Sequence, residues 1–448
     1  MENWAEEEFL GANLGDERLT QRLIKLATRF ADKPTASIPG ACHDWAETQA
    51  AYRFFEQSSE KKRGLDWREI LAPHMASTQA RMRQHPVVLC LQDTTELDFN
   101  GQEIDGLGPL SYETQRGMYV HPTYVVTPLR EPLGVTDAWM WAREAKGADG
   151  ERPGILESQR WIEGYERVAE MAAGMPESRL VYVADREADL VGLMVKAAQL
   201  ETPADWLIRA KHNRCLPEGG KLWAAVFAGT ALGEIEFTLG ARQGQAERLV
   251  QQQVWAQRVE ISDGRGGRLV VTCVIAKESK PPAGCKAVEW RLLTNRRVTH
   301  FDEAAELIDW YRCRWEIETM FHVLKNGCRV EALQLGSVAK LELAIALYLV
   351  VSWRLARLVK SGRVHPELEA SAFFTEAEWK GVFILAKKPI PKKGPSVRDV
   401  VRRIAMLGGF LGRRGDGEPG VKTLWLGMQR LRDFVEGMAH MQSIYNAK

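Results

Sequence analysis

The sequence predicts a mixed α/β protein with a β-rich insertion in its core and helical segments at both ends. Two short apolar runs rich in β-branched residues, PVVLCLQD from Pro86 and RLVYVAD from Arg179, read as strands buried on both faces. Between and after them lie helical patterns, Leu156 to Ala173 and READLVGLMVKAAQL. The first part of the chain and the part after about residue 300 carry helical spacing.

At 448 residues the chain is too long for one ordinary core, so two or three domains are expected. An apolar share of 45% with 27% charged residues fits a globular protein. The net charge of +1 leaves nucleic-acid binding open, because local clustering matters more. Such clustering occurs between Lys387 and Arg414, where Lys388, Lys392, Lys393, Arg398, Arg402, Arg403 and Arg413 share the stretch with a single acid, Asp399. That stretch is a candidate phosphate-binding surface or else a solvated face. Cys42, Cys90, Cys215, Cys273, Cys285, Cys313 and Cys328 form no CxxC and no zinc spacing, and fit free thiols in a reducing cytoplasm. The acidic start MENWAEEEFLG lacks the apolar core of a signal peptide. Leu341 to Trp353 is the most apolar run, but it contains Glu342 and is too short to span a bilayer. A cytoplasmic protein without a membrane part is expected.

Residues 1 to about 68 read as helical: Leu19, Leu23, Leu26 and Phe30 recur at helical spacing with Arg18, Arg22, Lys25 and Arg29 between them. PTASIPG then breaks the chain before a helix near Asp44 to Phe55. After the first buried strand come two strand-like runs, MYVHPTYVVTP and LGVTDAWMWA, and after the second buried strand and its helix comes DWLIRAKHN. Residues of about 213 to 298 leave the alternation and contain β-type runs separated by SDGRGG and SKPPAG, the pattern of an insertion. A helix over Trp310 to Lys325 follows, and then helices near Ala339 to Lys360, Thr375 to Ala386, Val397 to Leu411 and Leu424 to Met438.

Both buried strands end in an acid, Asp93 and Asp185. A carboxylate there is costly to keep charged unless it is paired or binds a cation. A third acid comes from WYRCRWEIETMFHVLK, Trp310 to Lys325. At about 100° per residue, Tyr311, Arg314, Glu318 and Lys325 fall on one face of a single helix beside an apolar stripe of Trp310, Ile317, Met320, Phe321 and Leu324. The acids have structural, catalytic and metal-binding readings. As ligands, two strand-end aspartates and a helix glutamate suit two hard divalent ions about 4 Å apart, Mg²⁺ or Mn²⁺ in place of zinc. Arg314 and Lys325 then suit phosphates. Glu96, Asp98, Glu187 and Asp189 lie near in sequence, but are expected to face solvent or pair with cations.

The spacing Tyr311, Arg314, Glu318, Lys325 resembles the motif of the DDE transposases of the insertion-sequence-four family. LQDTT at Asp93, VADREADL at Asp185, IRAKHNR at Arg209 and EWRLLTN at Trp290 resemble that family's other blocks, as do LGDERLTQRLIKLA, AAYRFFE and IAMLGGF at the two ends. The resemblance implies a ribonuclease-H-like catalytic core over residues 69–365, interrupted by the insertion at 213–298. It also implies a helical end-binding domain over 1–68 and a helical C-terminal domain over 366–448 that contacts DNA and dimerises. Asp93, Asp185 and Glu318 would be the catalytic, metal-binding triad, holding two Mg²⁺ ions, with Mn²⁺ able to substitute. Tyr311, Arg314 and Lys325 would hold phosphates of the transposon end, and Trp290 would stack on a flipped base. Arg209, Lys211 and Arg53 would contact the same DNA. The implied activity is cut-and-paste transposition through a hairpin intermediate, by a homodimer on double-stranded inverted-repeat ends and target DNA. The implied setting is the bacterial cytoplasm, nucleoid-associated when bound to DNA. Two rivals share parts of this pattern: a ribonuclease-H-like nuclease that cuts without joining, and a catalytically silent DNA-binding relative.

Overall fold

A computed structural model describes residues 4–62, 64–240 and 247–446. The outer limits set above at residues 1 and 448, and residues 241–246 of the insertion, lie outside them.

Helices α1 (Trp4–Phe9), α2 (Glu17–Asp32), α3 (Ile38–Ala41), α4 (Trp45–Phe55) and α5 (Trp67–Met82) come first. Asp16, Ser37, Asp44 and Asp66 each accept a backbone N–H at the start of α2 to α5, and Asp66 does so within a capping box closed by Glu69. Strands β1 (Val87–Gln92), β2 (Thr95–Asp98), β3 (Gly108–Pro109), β4 (Arg116–Val126) and β5 (Pro132–Trp141) follow. Next come α6 (Glu157–Ala173), β6 (Arg179–Ala184), α7 (Val191–Gln199) and β7 (Asp205–Arg209). The insertion holds α8 (Leu222–Ala228), β8 (Gly233–Leu239), β9 (Arg248–Ser262), β10 (Arg268–Glu278) and β11 (Glu289–Thr294). The chain ends in α9 (Phe301–Arg312), α10 (Trp315–His322), α11 (Val338–Val364), α12 (Glu376–Leu385), α13 (Val397–Leu407) and α14 (Val421–Asn446).

The strands form one eleven-stranded mixed sheet in the order β2-β4-β1-β6-β7-β11-β10-β9-β8, with β3 and β5 paired to β4. β1, β6 and β7 are parallel, while β4 runs antiparallel to β1 and to β5. The two acid-tipped runs are buried on both faces as expected. On β1, Leu89 and Leu91 enter the apolar cluster beneath α9 to α11, whereas Val88 and Cys90 enter the one beneath α6 to α8.

The insertion is continuous with the core sheet: β11 pairs antiparallel with β7 and carries the sheet onward through β10, β9 and β8. An edge strand left at β7 would expose unpaired backbone groups, and β11 satisfies them. The boundary expected at residue 68 falls inside the first turn of α5, and the N-terminal helices pack on the core: Phe30 stacks on Tyr348 of α11 with centroids 5.0 Å apart. READ is a 3₁₀ turn, Arg186–Ala188, and α7 begins only at Val191.

Candidate active site

The register of the parallel strands places the two aspartates. Gln92 of β1 pairs with Ala184 of β6, so Asp93 and Asp185 leave the sheet side by side at its carboxyl edge. That edge is where open α/β sheets bind ligands. β7 ends there too, carrying Arg209 and then Lys211, and the Ala210 N–H donates to Arg291 O at 2.7 Å. Trp290, next to Arg291, therefore lies just past the end of β7.

Glu318 comes in from above, but not on one uninterrupted helix. α9 stops at Arg312, residues 313 and 314 form a tightened turn, α10 starts at Trp315, and Val323–Gly327 is a π turn closed by Cys328 N–H to Val323 O at 2.7 Å. In the tightened turn the N–H groups of Arg314, Glu316 and Ile317 reach back three residues, to Tyr311, Cys313 and Arg314. Tyr311, Arg314 and Glu318 still face the strand ends. Lys325, in the π turn, instead pairs with Glu331 at 3.3 Å and does not line the cleft described below.

Arg314 is buried and is the counter-charge of the site. Its Nη1 forms an ion pair with Asp93 Oδ2 and stands 3.5 Å from Glu318 Oε1, while its Nε is buried without a hydrogen-bond partner. Burial pushes the Asp93 carboxyl up to about 7; Arg314 opposes this, and the facing Asp185 and Glu318 add to it. Burial also pushes the Tyr311 phenol up, although Arg314 and Arg209 face it. Tyr311 is thus a neutral hydroxyl beside Arg314 and Asp185.

An all-carboxylate donor set, in which burial and the two facing acids push Asp93 up, fits a hard divalent cation. Among the described residues, no three His, Cys, Asp or Glu side chains are gathered closely enough to form a finished metal cage. The carboxylates face one another with Arg314 between Asp93 and Glu318.

Beside these acids lies a cleft of about 880 Å³ lined by Arg130, Arg186, Arg209, Lys211, Lys286, Arg291 and Arg312 against Glu289, Asp309 and Glu316. Trp290 lines it, with Phe237 stacked on one face at 5.1 Å and 24°. Trp315 lines it as well and is 56% exposed. The sequence reading passed over Trp315, yet a tryptophan nearly opposite Ile317 on the wheel is the signal that marks it. Asp189 proves structural: it is buried, accepts the N–H groups of Lys211 (2.6 Å) and His212 (2.9 Å), and pairs with Arg214. It thereby fixes the loop that carries Lys211.

Arg53 lies elsewhere, exposed on α4, with Gln49 at 3.5 Å. A second groove of about 510 Å³ runs between α2 and α4, lined by Arg18, Arg22 and Lys25. In the basic C-terminal stretch, Arg398 and Arg402 are neutralised by Glu418 and Arg403 lies over Phe383, whereas Lys387, Lys388, Lys392 and Lys393 are exposed. The seven cysteines are free thiols. Among the described residues no helix is long and apolar enough to cross a membrane.

Strand-end carboxylates beside a cationic, aromatic cleft define an enzyme that works on phosphodiesters of nucleic acid. Comparison with protein families agrees: residues 1–59 match the family described as transposase DNA-binding, residues 165–353 the transposase DDE domain, and residues 350–447 the transposase Tn5 dimerisation domain. The chain is a DDE transposase, a metal-dependent enzyme of DNA cleavage and strand transfer that binds DNA and forms dimers. It belongs to the Tn5-like members of that class, with which the insertion-sequence-four pattern is consistent. The DDE match contains Asp185 and Glu318 but begins after Asp93.

Proposed function

We propose that this chain cuts and pastes a DNA element bounded by inverted-repeat ends, using Asp93, Asp185 and Glu318 on a ribonuclease-H-like core. The observation that carries the reading is the register Gln92↔Ala184, which sets both aspartates under Arg314 and Glu318 at the rim of the cationic cleft. The strand order of β5-β4-β1-β6-β7, with β4 alone reversed relative to β1, supports the ribonuclease-H likeness.

Asp93, Asp185 and Glu318 would hold Mg²⁺, two ions per site with Mn²⁺ able to substitute, and the ions would supply activation of the attacking oxygen and neutralisation of the leaving one. The chain's own part is positioning. Arg209, Lys211 and Arg314 hold phosphates beside the scissile bond, and the neutral Tyr311 hydroxyl donates to one. Lys325 joins them by exchanging Glu331 for a phosphate. The first cut adds water across a P–O bond and frees a 3′-hydroxyl. That hydroxyl attacks the opposite strand, forming a hairpin and releasing the flanking strand; a second hydrolysis opens the hairpin, and the 3′-end then attacks target DNA. A buried phenol with a raised pKa is a poor nucleophile, so no protein–DNA bond forms at Tyr311. Trp290 stacks on the base displaced at the hairpin, its second face being free of Phe237.

In this scheme residues 1–68, with Arg53 and the basic face of α2, bind the end. The core cuts, and residues 366–448 add DNA contacts and the dimer face, each protomer cutting the end held mainly by its partner. The setting is the bacterial cytoplasm.

The test is cleavage of a labelled duplex carrying the element's own terminal repeat, with Mg²⁺. Wild type gives a hairpin, Glu318→Ala gives no product, and Trp290→Ala nicks but forms little hairpin. Nicking without any hairpin from the wild-type protein would make the chain a nuclease and remove the joining half of the proposal.

A further inference from the structure

A chain of neutral groups, buried except at Thr94, runs behind Asp93, on the side away from Arg314. Gln92, immediately before Asp93, donates through Nε2 to Thr123 Oγ1 at 2.7 Å, and its Oε1 accepts from His121 Nε2 at 3.2 Å. His121 Nδ1 therefore carries no proton and accepts from the Thr94 hydroxyl at 2.8 Å. The Thr94 N–H in turn donates to Asp93 Oδ1 at 2.9 Å. Gln92, Thr123 and His121 are at most 1% exposed, and the edge of Trp161 closes over the imidazole at 4.5 Å. Space for the network is made on α6: a Cβ on Gly164 would come within 2.2 Å of Gln92 Oε1. So much buried polar structure is costly unless every member is satisfied, and here each member hands its bond to the next.

We propose that His121 is a positioning residue for catalysis: through the Thr94 hydroxyl it fixes the Asp93–Thr94 peptide, and so the direction in which Asp93 presents its carboxylate to the divalent ion and to Arg314. Its neutrality is part of the design, because a cation there would compete for the carboxylate. Burial, with Arg160 and Arg167 facing it, holds its pKa down to about 3, so it stays neutral throughout the working range. Residues that orient a ligand carboxylate from behind typically contribute about 10- to 100-fold in affinity or rate.

The inference rests on Asp93 being a metal-binding catalytic residue, and not on the hairpin. The experiment therefore reads first-strand nicking, and Mn²⁺ affinity measured by electron paramagnetic resonance of the free ion. Thr94→Val, which keeps shape and loses only the hydroxyl, should nick about tenfold or more slowly and bind Mn²⁺ more weakly, with end binding unchanged; Thr94→Ser should restore both. His121→Leu should match Thr94→Val, and the double variant should be no worse than either single one, as for members of one chain. Gly164→Ala, which displaces Gln92 from the far side, should lower Mn²⁺ affinity in the same direction. Wild-type nicking and Mn²⁺ affinity in Thr94→Val would overturn the inference, as would losses that multiply in the double variant. Should His121→Leu fail to fold, the Thr94 pair decides alone. An active Asp93→Asn would instead remove the triad assignment beneath it.

Discussion

Arg314 shows why single residues here must be read by what they touch. Its guanidinium is the positive group shared by Asp93 and Glu318, and its chain neighbour Trp315 lines a cleft that holds seven other cations. The cleft supplies affinity for phosphates in general, so Arg314→Ala should weaken end binding by less than tenfold and lower the salt slope by about one. Its placement against developing charge is another matter, and cleavage should fall by about 10²–10³. Single-turnover cleavage set beside a binding titration decides: equal losses in both would mean that Arg314 contributes only uniform binding. The aspartates were legible from sequence because a buried strand ending in an acid is a local signal. Arg314's partnership was not, because it depends on how α9 meets the sheet. Asp189 is expected from sequence to face solvent or pair with a cation; it does pair, but with Arg214, which the sequence did not name because it lies in a loop brought back by β7.

Among the elements, the α9–α10 segment departs most from its sequence reading. An ideal wheel aligns Tyr311, Arg314, Glu318 and Lys325, yet the tightened turn at 313–314 and the π turn at 323–327 change the winding twice. The tightening is tertiary in origin: the Cys313 thiol is held against Pro128 O and Asp309 is paired with Arg130, contacts from a loop far away in sequence. π turns are frequent at functional sites, and this one carries Lys325. α14 departs in length. Its first half is buried, and Gly427 lets it approach α13 so closely that a Cβ would lie 1.7 Å from Ile404 O. Its second half projects with Met438, Met441 and Tyr445 exposed at i, i+3 and i+7, an apolar stripe within the matched dimerisation domain. Met441→Glu with Tyr445→Glu should therefore abolish paired-end complexes while leaving single-end binding intact and thermal stability within about 0.5 kcal/mol. Sedimentation with and without end DNA checks this, and a paired complex formed normally by the double variant would place the dimer contact elsewhere.

At the scale of the whole molecule, the sheet, its two apolar layers and the terminal helices are joined by buried polar ties, and one of them sets how the fold responds to acid. Glu8 of α1 accepts from His74 Nδ1 and from Arg81 of α5, while His74 Nε2 accepts the Val135 N–H of β5 at 3.0 Å. This geometry makes His74 a neutral donor to an ionised Glu8. Burial holds the His74 pKa below its ordinary 6.5, with Glu8 opposing and with Arg81 and Arg357 adding to it. For Glu8, burial pushes upward, but His74 and Arg81 outweigh it and hold the carboxyl at about 2, against 4.5 unperturbed. Both folded values are depressed, so both groups act with the same sign. Below about pH 6.5 the unfolded chain binds a proton at His74 that the folded chain refuses, and below about 4.5 it binds another at Glu8. The tie is at full strength above pH 6.5, weakens as His74 titrates in the unfolded chain, and loses the Glu8 contribution, about 3 kcal/mol, between pH 4.5 and 2. Melting temperature should fall on acidification in two stages, with Glu8→Gln lowering stability at neutral pH and flattening the second stage. A melting profile flat between pH 7 and 4 would show that the N-terminal helices are held by their apolar contacts alone, Phe30 on Tyr348 foremost among them.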